Sequence, residues 1–263
     1  MYIVKIGGGK AINIEGIVAD IAELDTACLI VLGANAVRDQ LAQDLKKPKQ
    51  VLTSVSGYTS VFSDETAIDV IMMAYAGLRA KRVVELCQIK GVNAISLSGL
   101  DGQLIRGQRN RGIRVREGTK NLMKRDFSGK PKAVNGSLLT HLLETGYTPV
   151  ITIPIADEHG FAINSENDDI VNVLQDTLAA EKIFQLIEAP GFLDDKDDES
   201  SVVRNLPRTE LSAREAQVEG RMKRKMLALT RLFEAGAAEV IIADGRVEHP
   251  LHDALAGKGT LIS

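Results

Sequence analysis

The 263-residue chain has no tryptophan and only 4% aromatic residues, so a folded interior must be built from aliphatic side chains. Its two cysteines, Cys28 and Cys87, stand far apart in apolar stretches. Two isolated thiols make neither a disulfide framework nor a zinc site, and they fit a reducing, cytoplasmic compartment. No apolar run approaches the roughly 18 residues of a membrane span. No basic segment followed by an apolar stretch opens the chain, which argues against secretion. Two common phosphate-binding signatures, GxxxxGK(S/T) and GxGxxG, are missing as well. What remains is an ordinary globular balance, 44% hydrophobic and 25% charged, long enough for one large domain or two small lobes.

The formal net charge of −3 conceals an uneven distribution. Between Arg106 and Lys132 stand ten basic residues (Arg106, Arg109, Arg111, Arg114, Arg116, Lys120, Lys124, Arg125, Lys130 and Lys132) against two acids, Glu117 and Asp126. That segment carries about +8 and leaves about −11 for the rest. The pattern RGIRVRE, a turn, then KNLMKRDFSGK reads as a β-hairpin arm. A solvated surface, a nucleic-acid patch and a dock for an acidic protein are all open readings. Nucleic acid is the weakest of them, because only Phe127 offers an aromatic face.

Short apolar runs alternate with helical periodicities along the chain. Strands are expected at 2–6, 28–33, 93–97, 148–153, 183–187 and 239–243, with a last edge strand at 260–262. Helices are expected at 16–24, 63–89, 137–145, 168–180 and 221–235. Such alternation implies an α/β fold with a mainly parallel central sheet covered on both faces, a three-layer αβα sandwich. Ligands then bind beyond the carboxyl ends of the strands. The acidic loop at 194–200 reads as a mobile surface segment. The four histidines (His141, His159, His249 and His252) lack ligand spacing and read as structural, so no metal site is expected.

Four segments have unusual composition. The first strand delivers Lys5 to Gly7-Gly8-Gly9, where backbone N–H groups can approach an anion closely. A second turn, Gly33-Ala34-Asn35, follows the second strand. Asn164 to Asp169 opens a helix with two acids in its first turn, where the helix dipole favours them. Gly220-Arg221-Met222-Lys223-Arg224-Lys225 opens another. Two separated lysines, two glycine turns and one acid between the lysines suit phosphoryl transfer, which needs cations aimed at the transferring oxygens. An exposed helix start for Lys223 and Lys225, and a simple dipole acid for Asp168, are the plainer alternatives.

VKIGGG, the strand ending at Gly33, LSGLDG, the Asn- and Asp-rich helix start, GRMKRK and ADGRVEHPL occur in an order and spacing that resemble the amino-acid kinase family, across nearly the whole chain. The resemblance is to the acetylglutamate kinase branch, and within it to the kinases of carrier-protein-dependent lysine or arginine biosynthesis. It implies a carbamate kinase-like fold, an acceptor-binding lobe over 1–153 with the basic arm 106–132, and an ATP-binding lobe over 154–263. It implies phosphorylation of the side-chain carboxylate of an amino-blocked aminoadipate or glutamate, with ATP and nucleotide-borne Mg²⁺. Lys5 and Lys225 would stabilise the transferring group, and Asp168 would orient both lysines. Gly7, Gly8, Gly191 and Lys223 would line the nucleotide side; Gly33, Ala34, Val61 and Asn164 the acceptor side. The partner of the basic arm would be a small acidic carrier protein, and the 63–89 helix would pair with its copy in a homodimer.

The chain departs from that pattern at four places. Ala34-Asn35 stands where glycines usually follow the second strand, and these side chains would narrow the pocket. Val61 stands at the arginine that binds the acceptor's α-carboxylate, and valine cannot make a bidentate pair. Glu188 and Asn167 are also unusual on the nucleotide side. An acetylglutamate kinase of arginine synthesis, or a non-catalytic member that binds or regulates, are the competing expectations.

Overall fold

The computed structural model describes residues 1–53, 59–117, 120–217, 220–237 and 239–263; the side chains of 53, 59–61, 117, 217 and 220–224 fall outside the description. The expected positions Val61 and Lys223 therefore lie outside the described side chains.

The first half holds β1 (Tyr2–Ile6), α1 (Ile14–Ala22), β2 (Cys28–Leu32), α2 (Asn35–Asp44), β3 (Gln50–Thr53), β4 (Thr59–Phe62), α3 (Glu65–Ile71), α4 (Ala80–Ile89) and β5 (Ala94–Gly99). Next come β6 (Ile105–Arg109), β7 (Ile113–Glu117), β8 (Lys120–Lys124), β9 (Gly129–Val134), α5 (Gly136–Glu144) and β10 (Thr148–Ala156). The remainder holds β11 (Ala162–Ile163), α6 (Asn167–Leu178), β12 (Lys182–Ile187), β13 (Asn205–Leu206), α7 (Leu211–Gln217), α8 (Gly220–Glu234), β14 (Glu239–Asp244), α9 (Pro250–Leu255) and β15 (Thr260–Ile262).

One sheet runs β13-β15-β14-β12-β1-β2-β10-β6-β9, with β5 and β11 also on β10. Its centre is parallel: Lys5 is level with Val31 of β2 and with Gln185 of β12. The edges turn antiparallel, at β15 on β14 and at β9 on β6. β10 passes without a break through position 153, so both halves share this sheet.

Alternation along β1 sorts the core. Ile3 faces one layer with Ile170, Val171 and Leu174 of α6 and Met226, Leu229 and Leu232 of α8. Val4 and Ile6 face the other, with Ile17, Val18 and Ile21 of α1, Val83 and Cys87 of α4 and Leu251 of α9. These are the two helical layers of an αβα sandwich, with the aliphatic interior that the lack of aromatics requires. Cys28 and Cys87 are buried and unpaired, and burial pushes their thiols up to about 12 and about 11.

Three local features differ from expectation. The 63–89 helix starts later, capped by the Asp64 carboxylate on the Ala67 N–H, and its middle, Met72–Arg79, is wound as a π-type segment. A β3–β4 hairpin precedes it that carries no clear alternation. The acidic 194–200 loop is exposed but fastened: Arg214 pairs with Asp194, and Arg246 bridges Glu199 and Asp244 at 2.6 and 2.7 Å.

Candidate active site

The carboxyl ends of β1, β2 and β12 meet at the point where connections from β1's neighbours diverge, which is where an open parallel sheet leaves a crevice. Lys5 shares its face of β1 with Ile3, so it points into the α6–α8 layer. On α6, Asp168 shares a face with buried Val171 and Gln175, so its carboxylate turns down toward the sheet. Lys5 Nζ donates to Asp168 Oδ1, and both groups are partly buried. Lys225 precedes the buried stripe Met226, Leu229 and Leu232 of α8 and shares the face of the latter two. α8 packs along α6, and Arg231 reaches Asp169 at 3.5 Å, which fixes the register of the two helices.

Electrostatics follows from this packing. Burial works to raise the Asp168 carboxyl, but the Lys5 ammonium and then Lys225 outweigh it and hold the carboxyl below its usual range. Desolvation, and next the repulsion of Lys5, push Lys225 down to about 8, with Asp168 pulling the other way. Two cations thus act on one acid, Lys5 by direct contact and Lys225 through its charge.

The glycine turns are explained by contact. A Cβ on Gly8 would stand 2.5 Å from the Asn35 nitrogen and 2.7 Å from that of Ala34. One on Gly33 would stand 2.6 Å from the Gly8 nitrogen. The two loops therefore cross back to back, tied by Gly33 N–H to Ile6 O at 2.9 Å and Ala36 N–H to Gly8 O at 2.8 Å. Gly7 donates to Leu186 O at 2.8 Å. Gly191 lies apart, packed against Thr260 of the edge strand β15, so it shapes the loop after β12 from behind.

Ala34 is fully buried in the core, and the Asn35 carboxamide oxygen accepts the Tyr75 hydroxyl at 2.7 Å. Burial pushes the Tyr75 phenol up to about 12, so it remains a donor. Glu188 was unusual in sequence, and the structure gives it a place: its carboxylate crosses to the glycine loop, accepts the Ala11 N–H at 2.7 Å and fills the space beside Gly9.

Asn164 sits farther along, bonded through Nδ2 to Ser63 Oγ at 3.2 Å and through its backbone to Phe127 and Gly129. The root of the basic arm is therefore stitched to Asn164. The arm itself is the expected hairpin: β7 and β8 pair from Ile113–Lys124 to Glu117–Lys120, outside the main sheet. Arg111, Arg114, Arg116, Lys120 and Arg125 are exposed. Arg109 is not part of that surface. Its guanidinium lies 3.7 Å over the Phe127 ring, donates to Asp126 O at 3.2 Å and approaches buried Asp157. Composition cannot separate it from its basic neighbours; only its place at the end of β6 does.

An open, mostly parallel αβα sheet with one acid facing two lysines above two crossed glycine turns has the make-up of a phosphoryl-transfer enzyme. Comparison with known proteins agrees. The model of the amino acid kinase family matches residues 1–244. Over 268 residues, with full coverage of both chains, the sequence is 38% identical to LysW-aminoadipate kinase of Thermus thermophilus. It is 29% identical, again over the full length of both, to acetylglutamate kinase of Methanopyrus kandleri. Among solved structures, Giardia carbamate kinase superposes with a TM-score of 0.67 at 14% identity, covering 99% of this chain and 98% of the other. The chain belongs to the amino acid kinase family. Among the described residues, no helix is long and apolar enough to cross a membrane.

Proposed function

We propose that this protein transfers the terminal phosphoryl group of ATP to the side-chain carboxylate of an aminoadipate or glutamate whose amino group is blocked by a small acidic carrier protein. The observation that carries the kinase reading is the convergence of Lys5 and Lys225 on Asp168 at the carboxyl edge of the sheet. A carboxylate oxygen of the acceptor attacks the γ-phosphorus, the bond to the bridging oxygen of ADP breaks, and an acyl phosphate forms. Negative charge moves from nucleophile to leaving group throughout, and fixed ammonium groups on both sides of the transferring group stabilise it without a protein nucleophile. Asp168 keeps the two cations at a set separation. The Gly7–Gly9 turn lies on the phosphate side, with the Gly7 N–H held by Leu186 O.

Residues 1–153 supply the acceptor side, through Gly33, Ala34, Asn164 and the neighbourhood of Val61. Residues 154–263 supply the nucleotide side, with Gly191 and Lys223. Magnesium fits as an ion carried by the nucleotide: Asp168 and Glu188 are engaged by Lys5 and by the Ala11 N–H, which leaves the phosphate oxygens to hold it. The carrier reading rests on the exposed basic hairpin rooted beside Asn164, and on the name of the 38% identical relative. The apolar 63–89 face, with Met73 and Leu78 exposed, supports a homodimer.

Acyl-phosphate trapping with hydroxylamine tests this, using MgATP and three acceptors: N-acetylglutamate, N-acetylaminoadipate and carrier-linked aminoadipate. Product from the carrier-linked acceptor alone is expected. Product from acetylglutamate instead would assign the second reading, the one favoured by the 29% identical relative. No product from any of the three would reject both.

A further inference from the structure

On the opposite helical layer, α1 and α9 touch, and three side chains that no phosphoryl-transfer step uses converge there. The histidines read from sequence as scattered, yet His249 and His252 lie three positions apart across the start of α9. Their rings stack at 5.8 Å with an interplanar angle of 22°. Both turn a nitrogen to one oxygen of Asp20 on α1: His249 Nδ1 is 2.9 Å from Oδ1, and His252 Nδ1 is 3.4 Å from the same atom. One ligand atom from each of the three lies within 4.8 Å of the others. From these residues we infer a divalent transition-metal site of the zinc class, formed by Asp20, His249 and His252.

The ligand set and spacing both fit. Zinc takes imidazole nitrogen and carboxylate oxygen at about 2.0–2.2 Å in a tetrahedron, which puts the ligand atoms roughly 3.3 Å apart. The distances of 2.9 and 3.4 Å bracket that edge. The surrounding bonds orient the ligands. Asp20 Oδ2 accepts the Leu251 N–H at 2.8 Å and the His252 N–H at 3.1 Å, so the carboxylate cannot swing and Oδ1 stays aimed at the imidazoles. His252 Nε2 lies 3.5 Å from Glu23, so an Nε2–H pointed there leaves the Nδ1 lone pair for metal, the arrangement that carboxylate–histidine–metal sites use. The Asp20 side chain is only 1% exposed, whereas His249 is 53% exposed; the fixed acid lies at the bottom and an entry path lies at the top. Three protein ligands leave a fourth position for water. Such an ion would clip the first helix of the chain to the last, across more than 200 residues.

The test uses untagged protein stripped with a chelator. Titration calorimetry with Zn²⁺ is expected to show one ion per chain, visible absorption with Co²⁺ a tetrahedral spectrum, and thermal melting a metal-dependent rise in Tm. Asp20 also caps α9, so the histidines carry the test. His249→Ala and His252→Ala are each expected to weaken Zn²⁺ binding by at least about 10-fold, while the metal-free His252→Ala chain keeps its fold by circular dichroism. Absence of saturable Zn²⁺ binding would overturn the inference, as would wild-type affinity in the doubly substituted chain.

Discussion

Lys5 Nζ donates to Asp168 Oδ1 although the two residues stand 163 positions apart. The first strand supplies the cation and a helix of the second half supplies the acid, so neither half of the chain holds the site alone. Lys5→Met removes a charge-stabilising donor and is expected to lower kcat by about 10²–10³ with the fold intact. Asp168→Asn keeps the shape but leaves two lysines without their shared acid, and both kcat and MgATP affinity should fall. Steady-state kinetics beside circular dichroism checks both variants.

Lys225 illustrates a conflict between stability and activity. Its amine is pushed down to about 8 in the folded chain, whereas an unfolded lysine titrates near 10.5. The unfolded state therefore holds more protons between these values, and this group's contribution makes the fold more stable as pH rises through that window. Below about 8 the buried cation is a standing cost. Lys225→Met should raise Tm at neutral pH while reducing kcat, a trade expected of a functional buried charge. For the wild type, kcat/KM should fall as pH rises past about 8, as the cation is lost. A pH profile that is flat to pH 10 would contradict this.

The basic segment divides into two roles. Arg111→Ala, Arg114→Ala and Arg116→Ala, combined, should raise KM for a carrier-linked acceptor and flatten its salt dependence, with KM for MgATP unchanged. Arg109→Ala should act differently, because it strips Asp157 of its nearby cation and Phe127 of its stacking partner. A destabilisation of about 2–4 kcal/mol is expected, with little change in salt dependence. Urea melts and salt-titrated kinetics separate the two.

Gly8→Ala places a methyl group against backbone on the neighbouring turn, where no flexible side chain can yield. The Gly8 and Gly33 loops must then separate, and MgATP binding should weaken by at least about 10-fold. Gly146→Ala, at a solvent-open turn with a φ of +81°, gives the contrast: a modest loss of stability and no change in nucleotide affinity, both read by calorimetry.

Much of this was legible in sequence. Lys5 is the one charge in a five-residue apolar strand and the strand–helix alternation is regular, so fold class could be read from patterning, whereas the choice of Lys225 as the second lysine rests on the family resemblance. What escaped depends on long-range encounters. Nothing local marks Asn35 as the acceptor of the Tyr75 hydroxyl, Arg109 as an inward cation among outward ones, or Glu188 as a side chain that reaches the first glycine loop. His249 and His252 have a legible spacing only once Asp20, more than 200 positions away, completes it. The β3–β4 pair escaped because its residues carry no strong alternation.

The Glu188 carboxylate on the Ala11 N–H gives the glycine loop a resident anion supplied by the chain itself. On the proposed reading, an incoming nucleotide phosphate would not enter an empty cradle but exchange with that side chain. Affinity for ATP would then be intrinsic affinity scaled by the fraction of time the acid has swung away. Substrate capture would be a displacement, tuned at residue 188 without altering a single group that touches the transferring phosphorus.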